Sequence, residues 1–237
     1  MRVLLAAAWA ALAAGAVMAQ PGEGSRPGTD VQFWPSLSAE IKPFRRKDAK
    51  DTQMRFFRDL RASGELGWKF NEGAAQLKQF NIDAGISYPL FKFMRLGAEY
   101  RYSIRDRYTT NRHRLDLQLW LKHKFDRLQA DYRFEYEHSF RDVRKLRTLL
   151  RNRAGLGYNI PNWKLDPQVR VEAFTALHYT GNRLVGMRYD LGTEVNLNKR
   201  KTRSMEIAVR HDREMGIASP EHAWVLVVEL ANTFKQK

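Results

Sequence analysis

The chain has 237 residues, contains no cysteine and carries a net charge of +15 at pH 7. This length allows one or two domains, and the lack of cysteine excludes both a disulfide framework and a cysteine-ligated metal site. The positive charge permits nucleic acid as a partner. Acidic residues alternate with the basic ones along the same faces, however, so no basic stripe forms and we expect no nucleic-acid binding.

Residues 1–19 have the pattern of a secretory signal peptide. Arg2 precedes an apolar run over residues 3–17, and small residues precede a cleavage point at Gln20. We expect cleavage there, which lowers the net charge by one to +14. An uncleaved anchor is the alternative, but the apolar run is shorter than the roughly 18 residues that a membrane helix needs. No later apolar run reaches that length, so the sequence predicts no transmembrane helix.

Residues 20–30 are rich in glycine and proline and are predicted to form a flexible leader. Residues 31–237 are then expected to form one domain in which apolar and polar residues alternate. Successive side chains of a β-strand point to opposite faces, so this alternation predicts strands with one apolar and one polar face. The predicted strands are residues 31–42, 60–70, 80–90, 94–105, 114–122, 128–137, 149–160, 168–179, 187–197, 205–213 and 223–234.

The number of these segments conflicts with the rule for bacterial barrels. Single-chain bacterial outer-membrane barrels have an even number of strands, and the sequence offers eleven segments. We therefore expect one assignment to be wrong, either because residues 45–58 contain a further short strand or because the first segment lies outside the barrel. Pro35 also predicts that the first strand either lies at the edge of the sheet or is distorted near its start.

The two faces of these strands favour a membrane barrel over a soluble sandwich or lipocalin-type barrel. The polar faces combine charges of both signs with glycine, which suits a crowded lumen. The apolar faces carry aromatic residues near the strand ends, as membrane interfaces require: Tyr88, Tyr100, Tyr102, Phe125, Tyr136, Phe140, Tyr158, Tyr179 and Phe234. The predicted fold is all-β, an antiparallel up-and-down transmembrane β-barrel of about 10 to 12 strands.

Four short motifs also resemble a known family. They are Phe33-Trp34, the run from Leu96 to Tyr102, the run from Asn111 to Leu115 and the run from Leu150 to Ala154. They resemble the family called domain of unknown function 2490, predicted outer-membrane β-barrel proteins common in Bacteroidetes. The resemblance covers nearly the whole chain after the signal peptide. It implies a barrel fold and an outer-membrane location, and it supplies no catalytic residues.

The polar faces define candidate lumen-lining charges. Opposite charges on neighbouring strands are expected to pair across the lumen. Such pairs would either fill the barrel as a structural core or line a narrow selective channel. The candidates are Glu99, Arg101, Arg112, Arg114, Asp116, Lys122, Asp131, Arg133, Glu135, Arg151, Arg153, Arg170, Glu172, Arg188, Asp190 and Glu194.

An enzymatic site is not expected. A lipid hydrolase needs a nucleophile next to a base, and His138-Ser139 is the best candidate pair. Adjacent residues of a strand face opposite ways, so His138 belongs to the apolar face and Ser139 to the lumen. His113 and His123 lie on the apolar face of their strand and are interpreted as interfacial. No metal-ligand spacing or phosphate-binding loop is present, so we expect neither metal nor cofactor.

The sequence therefore predicts a monomeric, non-enzymatic outer-membrane protein, either a porin-like narrow channel or a charge-filled structural barrel. Its expected partners are membrane lipid, lipopolysaccharide bound by basic loops at residues 45–53, 106–111 and 141–147, and the barrel-assembly machinery. Phe234 resembles the terminal aromatic residue that this machinery reads, although residues 235–237 follow it. The alternatives are an outer-membrane lipid-modifying hydrolase and a soluble periplasmic β-barrel binding protein.

Overall fold

The structure is a computed structural model of the chain. It describes residues 29–44, 59–105, 110–140, 148–161, 163, 165–178, 181–198, 200, 202–216 and 220–234. The predicted signal peptide, most of the predicted leader, residues 45–58 and most of the other two basic loops lie outside these described residues. Tyr179 of the predicted aromatic set lies outside them as well.

Eleven strands are present in the described part of the chain, and each corresponds to one predicted segment. The alternating pattern explains this agreement, because it is a local property of each strand. The strands are β1 (Thr29–Ile41), β2 (Arg61–Asn71), β3 (Gln76–Phe91), β4 (Met94–Arg105), β5 (Arg112–Phe125), β6 (Leu128–Ser139), β7 (Thr148–Tyr158), β8 (Leu165–Ala176), β9 (Arg183–Asn196), β10 (Arg203–Glu214) and β11 (His222–Phe234). No helix among the described residues is long and apolar enough to span a membrane.

The strands form one closed barrel in chain order. Each strand pairs antiparallel with the next, but β1 and β11 pair parallel from Thr29↔His222 to Ile41↔Phe234. The predicted all-β antiparallel barrel of about 10 to 12 strands is confirmed, with this one parallel pair as the exception. The expectation that one of the eleven assignments is wrong was itself wrong for the described residues. An odd number of alternating strands leaves the first and last pointing the same way, so the barrel can close only through a parallel pair. We call this pair the parallel seam.

Pro35 distorts the pairing inside this barrel. The β1–β2 register is the same at Phe33↔Phe70 and at Ser36↔Gly67, but the backbone pairing is interrupted between them, at Trp34 and Pro35. Proline has no backbone N–H to donate, which accounts for the interruption. Of the two expected consequences of Pro35, the structure contains the distortion, and β1 is not an edge strand because it pairs on both sides.

The barrel has two distinct rims. We call the end where β1 begins the N-terminal rim and the end where β11 finishes the C-terminal rim. The two-residue turns 92–93 and 126–127 lie on the C-terminal rim. The N-terminal rim has the turn after Asn71, where Glu72, Gly73 and Ala74 all adopt positive φ angles. The Asn71-Glu72-Gly73 sequence predicts a turn here, and glycine adopts its conformation without steric cost.

The barrel wall is inverted relative to that of a soluble protein, because its polar face points into the barrel and its apolar face points outward. The buried hydrophobic residues of the described chain are only Ala176, Val195, Ala208 and Val225, whereas the fully buried side chains include Asp116 and Glu135. Large aliphatic side chains instead cover the outside: Leu37, Leu66, Ile82, Ile86, Leu96, Leu117, Leu156, Val169, Val171, Leu191, Val209 and Leu230 are all exposed. Exposed aromatic residues are concentrated at both rims, with Phe140 and Trp224 at the N-terminal rim and Phe91, Phe93, Phe125, Tyr158, Trp163 and Phe234 at the C-terminal rim. Three further exposed tyrosines, Tyr100, Tyr132 and Tyr189, lie at the level of the aliphatic band.

Close packing of β9 against β10 requires a glycine at position 192. A Cβ atom there would lie 2.6 Å from the Ala208 Cβ and 2.7 Å from the Ile207 carbonyl oxygen. We expect Gly192→Ala to lower the free energy of unfolding by about 1–3 kcal/mol, because neither neighbour can move without shifting the backbone. Reversible urea unfolding in phospholipid vesicles, followed by tryptophan fluorescence, measures this loss.

The matched control for this prediction is Gly157→Ala on β7. Its added Cβ would lie 3.8 Å from the Pro167 carbonyl oxygen, an ordinary contact, so stability should change little. Equal stability of the Gly192 and Gly157 variants would mean that β9 and β10 are less tightly packed than described.

Candidate functional site

A belt of alternating charges runs around the inside of the barrel. It takes one residue from each strand from β5 to β10: Arg112, Glu137, Arg151, Glu172, Arg188 and Asp212. Successive members form ion pairs of 3.3, 3.4, 3.0, 3.4 and 2.7 Å. We call these six residues the charge belt. Alternation of sign from strand to strand means that each interior member has an opposite charge on both sides.

Register explains how the belt forms. Glu172 lies directly opposite Arg188, and Arg188 lies directly opposite Asp212. Glu137 and Arg151 are offset along their strands and meet diagonally, within the reach of long side chains. The belt therefore follows from inward-facing charges on neighbouring strands, although its diagonal contacts depend on the exact register.

Arg151 on β7 is the most highly connected cation of the belt. Its guanidinium lies 2.7 Å from Glu135, 3.4 Å from Glu137 and 3.0 Å from Glu172, and the residue is 8% exposed. Glu172 in turn accepts from Arg133 on β6 at 3.0 Å. Arg151 thus compensates three buried carboxylates, each of which it shares with at least one other arginine.

The β5 side of the belt is closed by a second group of contacts. Arg114 lies 2.7 Å from Asp116 and 3.3 Å from Glu137. Arg112 donates from Nε to the Ser139 hydroxyl at 2.8 Å. Asp116 and Ser139 are both 0% exposed. Water therefore does not reach these side chains, so the lumen is filled on this side of the barrel.

Shorter ion-pair groups complete the interior. Arg101 on β4 contacts Asp83 on β3 and lies 3.4 Å from Glu99. Arg170 on β8 reaches over β9 to Glu206 on β10 at 2.5 Å. Asp190 on β9 pairs with Arg210 on β10 at 2.7 Å. Most of the predicted lumen charges thus face one another across the inner wall.

Four of the predicted lumen charges form no side-chain ion pair with any described residue: Lys122, Asp131, Arg153 and Glu194. All four lie on the inner face. Lys122, Asp131 and Glu194 are in the half of the barrel nearer the C-terminal rim, whereas Arg153 lies at mid-height, opposite Glu172. Lys122 and Glu194 are exposed, whereas Asp131 and Arg153 are half-buried. The lumen is therefore wetter toward the C-terminal rim than at the charge belt.

Trp34 is an interior residue that the sequence analysis did not single out as a lumen residue. Its ring lies under the Lys69 Nζ at 3.9 Å, and the guanidiniums of Arg188 and Arg210 lie 5.6 and 5.5 Å from it. Its Nε1 donates to the Gln32 side chain at 2.9 Å. The alternation of β1 carries the signal, since Trp34 shares its face with polar Gln32. These cation–π contacts connect the charge belt through β1 to β2.

Three buried carboxylates lie close enough to hold a metal ion. One oxygen each of Asp116, Glu135 and Glu137 can lie within 4.8 Å of the others. Arg114 and Arg151 already contact these carboxylates, and a metal ion there would face their positive charges. We therefore interpret the three residues as part of an ion-pair network. The alternating pattern places these three residues on the inner faces of neighbouring strands, but the β5–β6 register that sets Asp116 opposite Glu137 is not encoded in it.

The candidate hydrolase pair is not assembled. The His138 ring lies beside the Thr148 hydroxyl at 3.2 Å and packs against Phe140 on the outer face. Ser139 faces the lumen and is bonded to Arg112. His113, also on the outer face, contacts the Tyr100 hydroxyl. These histidines contact aromatic and hydroxyl groups on the outside of the barrel, away from the lumenal serine.

One family profile matches the chain. It is described as "Protein of unknown function (DUF2490)" and matches residues 31–213, from the start of β1 almost to the end of β10. None of the curated proteins compared with the chain matches it.

Proposed function

The chain belongs to the DUF2490 family, whose function is unknown, and we propose that it is an integral β-barrel protein of the bacterial outer membrane with a lumen closed by the charge belt. In this role the barrel is a membrane scaffold that presents its rims, and it does not conduct freely. The proposal treats the chain as a monomer that carries out no catalysis and needs no cofactor.

The inverted wall carries this proposal. A soluble barrel exposes polar side chains and buries apolar ones, whereas here the aliphatic band faces outward and the charges face inward. Outer-membrane barrels have an outward apolar band flanked by aromatic girdles and a polar interior. The exposed aromatic residues at both rims, among them Trp224 and Phe125, correspond to such girdles.

A closed lumen is supported by the burial of the charges. An open aqueous pore would hydrate its lining, but Asp116, Glu135 and Ser139 have almost no exposed surface. An eleven-stranded barrel also lies between the eight-stranded size that side chains fill and the open porins of 16 or more strands. The narrow channel remains the alternative outcome of the test below.

The rims suggest an orientation in the membrane. Outer-membrane barrels have short turns on the periplasmic side and longer loops outside. The two-residue turns 92–93 and 126–127 lie on the C-terminal rim. The longest connection, residues 42–60 between β1 and β2, is on the same rim, so the two-residue turns alone support this orientation. We therefore propose that the C-terminal rim faces the periplasm. In this orientation the basic loops at residues 106–111 and 141–147 face lipopolysaccharide, and the loop at residues 45–53 does not.

Planar-bilayer recording of the refolded chain from Gln20 to Lys237 tests the closed lumen. We expect the chain to insert and to produce no reproducible current steps, because the charge belt blocks the passage. Insertion itself is measured separately, by protection of the strands from protease in vesicles.

Two other outcomes would contradict the proposal. Regular steps whose ion selectivity shifts when Arg114 and Arg133 are neutralised would establish a narrow channel. A chain that stays in solution without detergent and does not insert would establish a soluble barrel.

A further inference from the structure

An apolar groove lies on the outer surface of the barrel at the parallel seam. It has a volume of about 590 Å³ and lies between β1, β2, β10 and β11 near the C-terminal rim. Leu37, Leu66, Leu230 and Phe234 supply its apolar lining. This volume is in the range of small-molecule sites, which are predominantly apolar with a few polar groups at defined positions.

Small residues create the groove. Ala39 on β1 lies directly opposite Gly64 on β2, so neither strand projects a long side chain there. Leu66, Leu37 and Leu230 lie opposite one another in one row across β2, β1 and β11, and this row forms the wall of the groove on the side away from the C-terminal rim. A Cβ atom at Gly64 would lie 3.7 Å from its nearest neighbour, the Asp83 carbonyl oxygen, so the groove has room for an added side chain.

A cation lies at the rim end of this groove. Arg203 and Asn232 pair across β10 and β11 and complete the groove lining. Arg203 is exposed, and its guanidinium forms no ion pair with any residue that the structure describes. Lys42 directly follows Ile41, which pairs with Phe234 at the end of the seam, and Arg200 lies in the turn between β9 and β10. The groove thus combines an apolar wall with positive charge at its membrane-surface end.

We propose that this groove binds one anionic glycerophospholipid, with an acyl chain packed against the leucine row and its phosphate at Arg203. The inference rests on the proposed function, because the groove must face lipid. The headgroup is assigned to the glycerophospholipid class because the C-terminal rim is the proposed periplasmic side, where the leaflet consists of such lipids. A guanidinium pairs with a phosphate through two parallel hydrogen bonds. In a zwitterionic headgroup the lipid's own cation offsets the charge of that phosphate, so an anionic lipid attracts the guanidinium more strongly.

Native mass spectrometry of the chain released from vesicles tests this site. The vesicles contain equal amounts of phosphatidylcholine and phosphatidylglycerol. We expect the wild-type chain to retain one phosphatidylglycerol in preference to phosphatidylcholine. Arg203→Gln should reduce this retention roughly fivefold, since one basic residue near an anionic surface contributes about that factor. Gly64→Leu should reduce it by filling the groove.

The matched control is Arg127→Gln, which removes an exposed arginine from another turn of the same rim and should leave retention unchanged. Equal retention by the Arg203 and Arg127 variants would overturn the site.

Preferential retention of lipid A from vesicles that contain it would overturn the choice of lipid, and a mass of two chains would mean that a second copy covers the groove. Failure to insert would instead overturn the proposed function, and protease protection detects that separately.

Discussion

Replacing Arg151 with methionine is expected to lower the free energy of unfolding by about 3–5 kcal/mol, the range measured when one partner of a buried ion pair is removed. The substitution keeps an unbranched apolar stem, shorter than that of arginine, and removes the charge. Glu135, Glu137 and Glu172 then lose the guanidinium that lies within 2.7 to 3.4 Å of each. Glu172 keeps Arg133 and Arg188, and Glu137 keeps Arg112 and Arg114. Glu135 keeps only Arg133, at 3.4 Å, so Glu135 should carry most of the loss.

Urea unfolding from phospholipid vesicles measures this effect. Arg127→Met is the matched control, because Arg127 is exposed in a turn and its loss should cost at most about 1 kcal/mol. Adding Glu135→Gln to Arg151→Met should restore part of the stability, since it removes the carboxylate that is left with only the 3.4 Å contact to Arg133. If Arg151→Met cost no more than the control, water would have to screen these carboxylates, and the lumen would be open.

Replacing Leu191 with arginine is expected to have the second large effect, and to lower the free energy of unfolding by about 2–4 kcal/mol. Leu191 is 68% exposed on the outer face and lies between Val169 and Val209 in the aliphatic band. An arginine on the lipid face near the bilayer midplane must lose hydration or deform the bilayer. In water the same exposed substitution would change stability by no more than about 0.5 kcal/mol.

Leu197→Arg provides the control for this experiment. Leu197 is also exposed, at 51%, but it follows the end of β9 at the C-terminal rim, where an arginine should cost only about 0–1 kcal/mol. The difference between the two variants therefore reports the depth of each site in the bilayer. Two equal, small effects would place the outer face of the barrel in water.

The sequence predicted the strands well because the alternation of faces is local. β4 was identified with its observed bounds, Met94–Arg105, from period two alone. Bounds failed where alternation was weak: β3 begins at Gln76, four residues before the predicted start, and its pairing with β2 is irregular at Lys69 and Phe70. A bulge shifts the side chains that follow it, so a strict period is lost at such points.

Closure of the barrel and contacts across strands could not be predicted in the same way. The pairing of Thr29 with His222 joins residues that are far apart in the chain, and no local pattern encodes it. Arg95 on β4 reaches Glu40 on β1 at 3.3 Å, past both β2 and β3. Such a contact depends on the stagger of the strands around the barrel, which the polar pattern of either strand does not contain.

The parallel seam has a consequence for which sides of a membrane the chain connects. β1 starts at the N-terminal rim and β11 ends at the C-terminal rim, so the segment before Thr29 and the segment after Phe234 leave the barrel on opposite sides. In a bilayer, labels attached to these two segments would report different compartments. Gain or loss of a whole hairpin would preserve this arrangement, whereas gain or loss of a single strand would bring both ends to the same compartment.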